Sequence, residues 1–348
     1  MSFKTKAYAA HEVGKLLEPF EFERRSLRPT DVALKISYAG ICHSDIHTVR
    51  GEWGKVITPC VPGHEIVGVV TEVGDAVEKF SPGDLIGVGV FVDSCRNCEN
   101  CKRGLGNYCF EGMTGTYNSV ERDGQTIAQG GYSNFFVIDQ NYAVHIPDNL
   151  DLAGVAPLMC AGITLYSPLR HWGAGPGKKV GVIGLGGLGH MGVKFASAMG
   201  AEVTVFSHSP SKENDARQMG ADHFIVTKDP RVFKELENSF DLILNTVSAE
   251  IDLDPYLKTL RLDGTLVVIG LPGKPYAINA GTLLEKRRSL AGSMIGGYPE
   301  LQEMIDFCGD HNIVSEVEVI EPSYINTAYD RTVASDVKYR FVIDASKF

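Results

Sequence analysis

The sequence predicts an α/β protein in which a mostly β first part is followed by a doubly wound parallel sheet. Up to about residue 152, short runs of alternating apolar residues, such as 32–38 and 66–73, are separated by Gly, Pro and Asp turn signals. Beyond that point, β-branched runs alternate with stretches of helical length. This order is typical of parallel strands joined by crossover helices.

The second pattern contains enough strands for a complete doubly wound fold. The six predicted strands are residues 179–184, 202–206, 223–226, 240–245, 265–270 and 289–292. Two amphipathic helix patterns near 299–311 and 324–335 and a strand-like run at 339–344 follow, and we expect them to return to the first part. The predicted domains are therefore 1–152 and 153–295, with 296–348 returning to the first.

Length and charge narrow the class of protein. A chain of 348 residues is long for one hydrophobic core, so two domains are expected. A formal net charge of -10 disfavours binding to nucleic acid or to anionic lipids. No stretch reaches the roughly 18 apolar residues of a membrane helix, and no apolar signal-peptide core is visible near the start. We therefore expect a cytoplasmic protein with neither nucleic-acid nor membrane partners.

Four of the eight cysteines fall within fifteen residues, with the spacing C-x2-C-x2-C-x7-C; they are Cys95, Cys98, Cys101 and Cys109. Four thiolates this close can fill the tetrahedral shell of a zinc ion, which predicts a structural site. An iron–sulfur cluster is the alternative, but its bacterial run has a fourth spacing of three followed by proline. Four unligated buried cysteines are the other alternative.

Cys42, His64 and Cys160 are the candidates for a second metal site. Judged from the residues alone, this set is weak. Cysteine is often a small buried hydrophobe, and a lone histidine usually only satisfies a hydrogen bond. The residues by themselves therefore leave open both a three-ligand zinc site and a purely structural role.

A glycine-rich hexapeptide, Gly184-Leu185-Gly186-Gly187-Leu188-Gly189, follows the predicted strand 179–183 and precedes a helix-like stretch. This context is the one that a dinucleotide-binding G-x-G-x-x-G loop of a Rossmann domain requires. The three motif glycines would allow a tight turn, close approach to the pyrophosphate and packing of helix on strand. The amino end of the helix supplies unpaired N–H groups for an anion.

The end of the second strand of the parallel sheet indicates which dinucleotide is bound. NAD-binding proteins carry Asp or Glu about 20 residues after the loop, whereas here residues 207–212 read Ser-His-Ser-Pro-Ser-Lys. A carboxylate would repel a 2′-phosphate, while Ser207 and Lys212 can receive it. The sequence therefore predicts NADP(H), with NAD(H) and a merely solvated Lys212 as the alternatives.

Several segments resemble those of the zinc-containing medium-chain alcohol dehydrogenase family. Segments 40–45, 62–68 and 160–164 resemble its zinc-ligand signatures, and the four-cysteine cluster lies between the second and third of them. The run 160–169 is most similar to the cinnamyl-alcohol-dehydrogenase branch. The resemblance covers nearly the whole chain, and it implies a GroES-like catalytic domain beside the Rossmann domain.

The resemblance implies that Cys42, His64 and Cys160 are the ligands of a catalytic zinc ion. Two thiolates and one imidazole leave a fourth position open for water or substrate. Asp45 resembles the carboxylate that orients the ligand histidine. Glu65 resembles a glutamate that lies near the zinc and can replace its water, and an ion pair beneath the site is the alternative role.

The implied reaction is hydride transfer between NADP(H) and an alcohol/aldehyde pair. Ser44 resembles the hydroxyl that hydrogen-bonds the substrate oxygen. His47 resembles a histidine that relays the proton to solvent, and an ordinary surface histidine is the alternative. Trp53 either lines an apolar substrate pocket, which would favour aliphatic or aromatic aldehydes, or packs in the core.

Other implied contacts concern the cofactor. Ser207, His208 and Lys212 match positions that hold the 2′-phosphate in the cinnamyl branch, where serine is common at the position of His208. The implied contacts of the nicotinamide and pyrophosphate are Thr164, Val247, Leu271, Ser293, Ile295 and Arg340. Met294 lies within the same segment as Ser293.

Three alternative functions remain open. A polyol dehydrogenase often uses a ligand other than cysteine at the third position of the catalytic set and prefers NAD, and a zinc-free quinone reductase lacks both metal sets. A non-enzymatic zinc and nucleotide module is the third alternative, which the acidic charge disfavours as a nucleic-acid binder. The resemblance also implies a homodimer formed through edge strands of the cofactor domain.

Overall fold

The computed structural model describes residues 2–348 and separates into two compact units. The first unit contains the residues up to Ile163 together with Gly296–Phe348, and the second is Thr164–Ile295. The first break therefore lies after residue 163, where the sequence analysis had put it after residue 152. The segment between these positions packs on the first unit: the Ser315 amide donates to the Gly154 carbonyl oxygen at 3.0 Å.

The strands within residues 2–348 are numbered here in chain order. They are β1 (Phe3–Ala9), β2 (Glu18–Arg24), β3 (Asp31–Gly40), β4 (Ile66–Val73), β5 (Leu85–Val88), β6 (Phe91–Asp93), β7 (Thr114–Gly115), β8 (Ser119–Val120), β9 (Ile127–Ala128), β10 (Phe135–Asp139), β11 (Val144–His145), β12 (Lys179–Ile183), β13 (Glu202–Ser207), β14 (His223–Val226), β15 (Phe240–Asn245), β16 (Leu260–Val268), β17 (Ser289–Gly292), β18 (Val317–Ile320) and β19 (Arg340–Asp344).

The α-helices are numbered in the same way. They are α1 (His43–Val49), α2 (Glu99–Lys102), α3 (Leu152–Val155), α4 (Ala161–His171), α5 (Gly189–Ala198), α6 (Glu213–Gln218), α7 (Arg231–Glu235), α8 (Asp254–Thr259), α9 (Ala280–Leu284), α10 (Tyr298–His311) and α11 (Ile325–Val333). Short 3-10 turns such as Ala156–Met159 connect some of them.

The first unit is built around a sheet with the strand order β11-β5-β4-β3-β19-β18, and β10 also pairs with β3. All neighbours in it are antiparallel except β18 and β19. Because β19 pairs with the end of β3, the last part of the chain completes a sheet that the first part began. Ile41, Ile46 and Phe341 are buried in one core cluster between these segments.

The second unit is a six-stranded parallel sheet with the order β14-β13-β12-β15-β16-β17. Numbered from β12, this is the order 3-2-1-4-5-6 of a doubly wound dinucleotide fold, so the predicted Rossmann architecture is confirmed. Ligands of such sheets bind outside the carboxyl ends of the strands, where the order reverses. That position lies between β12 and β15, whose ends Ile183 and Asn245 are register partners.

No single helix among residues 2–348 has the length and apolar composition needed to cross a membrane. One bent pair, Leu152–Met159 with Ala161–His171, meets those two criteria across a 60° break.

A buried arginine of the first unit, Arg24, holds segment 129–135 in place. Arg24, the last residue of β2, is 9% exposed. Its guanidinium donates at 2.6–3.0 Å to three carbonyl oxygens and one hydroxyl, those of Gln129, Gly130, Phe135 and Ser133. Segment 129–135 is therefore fixed to β2 by one side chain.

We expect Arg24→Met to destabilise the first unit by about 2–4 kcal/mol, since it leaves buried carbonyl oxygens without donors. The thermal unfolding midpoint of zinc-loaded protein measures this loss. Arg287→Met is the control, because Arg287 pairs with Asp263 at an exposed position and such pairs contribute about 0–1 kcal/mol. Equal midpoints for the two variants would contradict the structural role assigned to Arg24.

Candidate metal centres and dinucleotide-binding loop

The four clustered cysteines converge in the first unit. Their Sγ atoms all lie within 4.8 Å of one another, and those of Cys95 and Cys101 are 3.8 Å apart. A tetrahedral zinc ion with bonds of about 2.3 Å needs sulfur–sulfur edges of about 3.8 Å. Residues 95–109, called here the four-cysteine lobe, therefore have the dimensions of a four-thiolate zinc site.

The backbone around these cysteines also suits thiolates. The amides of Cys95, Cys98 and Cys101 each donate to a sulfur of the set at 3.3–3.5 Å. Amide donors from Phe110 and Cys101 lower the pKa of Cys98 to about 6, while burial raises that of Cys101 to about 11. All eight cysteines are free of disulfides. Only a cation would keep all four thiols of the lobe ionised together.

A second set of ligand atoms lies deeper in the same unit. Those of Cys42, His64, Glu65 and Cys160 lie within 4.8 Å of one another, and all four residues are buried. The sulfurs of Cys42 and Cys160 are 4.0 Å apart. Three separate segments supply these residues: the turn between β3 and α1, the residues just before β4, and the start of α4.

The chemistry of this set fits a zinc ion. Nε2 of His64 is buried and has no hydrogen-bond partner among residues 2–348, a costly state that a metal bond would relieve. A hydrogen bond between the two thiol groups lowers the pKa of Cys42 and raises the pKa of Cys160. The two buried sulfurs lie 4.0 Å apart, so a divalent cation between them would favour both thiolates at once. Two thiolates and one imidazole form a common zinc donor set.

Asp45 connects two of these ligand segments. Its side chain is fully buried, and its oxygens accept four hydrogen bonds. The donors, at 3.0–3.1 Å, are the amides of Cys42 and Gly63, Nδ1 of His64 and the hydroxyl of Tyr132. A carboxylate has about four lone-pair sites, so this one is saturated. With Nδ1 occupied in this way, His64 presents Nε2 to the sulfurs.

Glu65 forms a buried ion pair with Arg340 of β19. One carboxylate oxygen bonds the guanidinium, and the other, Oε2, has no hydrogen-bond partner among the described residues. Burial raises the pKa of Glu65 to about 8, against the opposing effect of Arg340. The ion pair predicted as an alternative role is therefore present, and one carboxylate oxygen of Glu65 also lies within 4.8 Å of the other ligand atoms. No feature of the sequence indicated that Arg340 pairs with Glu65.

The predicted proton-transfer residues lie on α1. Oγ of Ser44 is 3.2 Å from Sγ of Cys42. His47 is partly exposed, its Nδ1 bonds the Glu52 carboxylate, and its ring stacks on Trp53 at 4.9 Å. Trp53 is 52% exposed, so the alternative of core packing for it is wrong. Ser44 thus lies at the ligand set, and His47 lies at the surface of the unit.

The glycine loop of the second unit follows β12 directly, and α5 begins at Gly189. A Cβ on Gly189 would lie 2.1 Å from the carbonyl oxygen of Gly184, so only glycine permits this packing of helix on strand. His190, for which the sequence predicted no role, also contacts the loop: its amide and its Nδ1 both lie 3.1 Å from the Gly186 carbonyl oxygen. Its position directly after the last motif glycine was the available signal.

The residues predicted for the 2′-phosphate lie at the end of β13. Lys212 donates from Nζ to the Leu185 carbonyl oxygen at 2.7 Å, so its ammonium group lies against the glycine loop. Oγ of Ser207 accepts from the Ser209 amide at 3.1 Å. Nδ1 of His208 lies 3.3 Å from Oγ1 of Thr227. The arrangement presents a cation, hydroxyls and an imidazole next to the loop.

Three further predicted contacts follow neighbouring strands of the same sheet. Val247, Leu271 and Ser293 come shortly after the carboxyl ends of β15, β16 and β17, the edge that also carries the glycine loop. Leu271 is 65% exposed, whereas Ile295 and Thr164 are buried. The parallel topology therefore brings Val247, Leu271 and Ser293 to one edge, while Thr164 lies in α4.

Comparison with known proteins agrees with this arrangement. Residues 28–148 match the alcohol dehydrogenase GroES-like domain, and residues 187–310 match the zinc-binding dehydrogenase domain. The chain is 59% identical over 341 residues to NADP-dependent alcohol dehydrogenase C 1 of Mycolicibacterium smegmatis, covering 98% of this chain and 97% of that protein. It is 52% identical over 343 residues to an aldehyde reductase of Escherichia coli, covering 98% of each.

A solved structure extends the comparison to the fold. A cinnamyl alcohol dehydrogenase from Sorghum bicolor superposes with a TM-score of 0.95 at 43% identity, over 99% of this chain and 98% of that one. Relatives of this identity over the whole length establish the family. The chain therefore belongs to the zinc-binding alcohol dehydrogenases of the medium-chain dehydrogenase/reductase family.

Proposed function

We propose that the protein is a zinc-dependent oxidoreductase that transfers hydride between NADP(H) and a primary alcohol/aldehyde pair, chiefly in the reduction of aliphatic or aromatic aldehydes. The observation that carries this proposal is the buried set of two sulfurs and one imidazole, with the orphaned Nε2 of His64. The names of the bacterial relatives, an NADP-dependent alcohol dehydrogenase and an aldehyde reductase, support the same reaction.

When bound, zinc supplies a Lewis acid for the substrate oxygen, and NADP(H) supplies or accepts the hydride. Cys42, His64 and Cys160 would hold this zinc, and their two thiolates balance its charge of +2. Asp45 keeps His64 in the tautomer whose Nε2 is free. Cys95, Cys98, Cys101 and Cys109 would hold the second, structural zinc.

Proton transfer is assigned to α1. Ser44, beside Cys42, is placed to hydrogen-bond the substrate hydroxyl. His47 is partly exposed and would pass the proton on to solvent, a role that histidine has in many enzymes. One carboxylate oxygen of Glu65 lies within 4.8 Å of the other ligand atoms, and the carboxylate pairs with Arg340. We therefore propose that Glu65 would act electrostatically beside the zinc ligands and would be available as a further ligand.

Cofactor binding is assigned to the carboxyl edge of the second unit's sheet. The amides of residues 184–189 and the start of α5 would bind the pyrophosphate. Ser207, His208 and Lys212 would bind the 2′-phosphate. Thr164, Val247, Leu271, Ser293 and Ile295 would contact the nicotinamide end. Arg340 remains a proposed pyrophosphate contact, and its Nε has no hydrogen-bond partner among residues 2–348.

We further propose a cytoplasmic homodimer. Eight cysteines without a disulfide suit a reducing compartment. β17 is an edge strand of the second unit's sheet, and Leu262 of β16 and Leu284 of α9 are strongly exposed. These features suit contact with a second copy.

The direct test of function is a set of initial rates with benzaldehyde, butanal and mannitol, using NADPH/NADP and NADH/NAD. We expect both aldehydes to be reduced, NADPH to be preferred and mannitol to react poorly, since a sugar alcohol needs more polar partners. Zinc removal by a chelator should abolish the rates, and zinc addition should restore them. Unchanged turnover in metal-free protein would contradict the proposal.

Cys160→Ala should lower the zinc content from two ions per chain to one and reduce kcat/KM by about 10³-fold or more. A Lewis acid contributes several kcal/mol to such a reaction, and each 1.36 kcal/mol is tenfold in rate. Metal analysis and steady-state kinetics measure both effects. Cys308→Ala is the matched control, because Cys308 is equally buried but belongs to neither ligand set. Two zinc ions in both variants would argue against the ligand assignment.

Ser207→Asp should reduce the ratio of kcat/KM for NADPH to that for NADH by about 100-fold, because like charges brought together cost several kcal/mol. The ratio isolates the 2′-phosphate, since the two cofactors differ only there. Ser239→Asp is the control, with the same charge introduced at the opposite, amino edge of the sheet, just before β15. A similar fall in both variants would indicate a general charge effect and would refute the phosphate site.

A further inference from the structure

Tyr132, which has no part in the proposed mechanism, contacts the carboxylate behind the zinc histidine. It is fully buried, and its hydroxyl donates to Oδ2 of Asp45 at 3.0 Å. Of the four donors to Asp45, the other three belong to Cys42, Gly63 and His64, which are ligands or the residue next to one. Tyr132 is thus the donor among these four that comes from outside the ligand segments, and Tyr117 also interacts with Asp45.

The backbone of Tyr132 is hydrogen-bonded to the segment that precedes His64. Residues 130–132 run beside residues 61–63, and three amide-to-carbonyl hydrogen bonds of 2.7–2.9 Å join the two segments. One of them links the Tyr132 amide to the Pro62 carbonyl oxygen. The Tyr132 amide therefore holds the segment that leads into His64, and its hydroxyl holds Asp45, the carboxylate that accepts from the Gly63 amide of that segment.

The tyrosine ring also fills the space beside Gly63. That residue has φ of +103°, and a Cβ on it would lie 2.5 Å from Cδ1 of Tyr132. Glycine at 63 and the ring of Tyr132 thus occupy one close-packed position. Arg24 holds segment 129–135 in place from the other side. The position of the ring is therefore fixed independently of any metal.

Loss of the Tyr132 hydroxyl would leave one lone pair of a fully buried carboxylate without a donor. The carboxylate would then be free to rotate toward other donors, and the bond between Oδ1 and Nδ1 of His64 would lose its fixed direction. Because that bond sets the orientation of the imidazole, the effect would reach Nε2.

We propose that Tyr132 is a positioning residue for the catalytic zinc ligand His64, acting through Asp45. This inference rests on the proposed function, because it takes Cys42, His64 and Cys160 to be zinc ligands. Groups that support a metal ligand from behind contribute about 10–100-fold to metal affinity or activity. Tyr132 acts one residue further out, so we expect an effect near the lower end of that range.

The test compares wild type, Tyr132→Phe and Tyr256→Phe, all with two zinc ions bound. Tyr256→Phe removes one buried tyrosine hydroxyl from the core of the second unit, where Tyr256 is 5% exposed. The main measurement is the rate at which each zinc ion passes to a colorimetric chelator. The visible spectrum after cobalt replaces the catalytic zinc reports the ligand geometry, and the thermal midpoint reports stability.

We expect Tyr132→Phe to release the catalytic zinc about tenfold faster than wild type, with an altered cobalt spectrum and unchanged release from the four-cysteine lobe. Tyr256→Phe should match wild type in both measurements, even if its thermal midpoint falls. Equal release rates and spectra for all three proteins would overturn the role of Tyr132 and leave the proposed function intact. A wild-type protein that holds zinc only in the lobe would overturn both.

Discussion

The buried carboxylate of Asp45 is the constraint on which the first unit's metal-binding arrangement depends. It accepts hydrogen bonds from the segments that carry Cys42 and His64 and from Tyr132, and none of its lone pairs is left open. A buried charge is costly unless it is fully hydrogen-bonded, so the surrounding backbone has little freedom to move. The segments that carry Cys42 and His64 are held together by this one group, which also orients the imidazole of His64.

The sequence predicted those features whose signal is local. The four cysteines of the lobe lie within fifteen residues, so their spacing was sufficient to predict a metal site. The glycine loop lies between a strand and a helix that both have clear sequence patterns, so its context was sufficient to predict a dinucleotide-binding loop. The doubly wound sheet and the family were likewise predicted and are confirmed. The roles of individual site residues, including His47, Lys212 and Thr164, stay predictions.

Features that depend on tertiary contact could not be obtained in this way. Cys42 and Cys160 are 118 positions apart, and only the family resemblance connected them before the fold did. Nothing local to Arg340 indicates that it pairs with Glu65, because that contact requires β19 to join β3. The first unit extends to Ile163 for the same reason: residues 152–163 have helical signals, and only their packing assigns them to one unit.

The two ligand sets differ in how much of the chain must be synthesised before each is complete: the first lies within residues 95–109, and the second extends from Cys42 to Cys160. The lobe can capture its ion once residue 109 has emerged, since closing a short loop costs little entropy. The other set needs Cys160, and Glu65 gains its counter-charge only when Arg340, near the end of the chain, has been added. Metal acquisition would thus be ordered along the chain, and a product truncated before residue 160 would hold the four-cysteine set without completing the second ligand set.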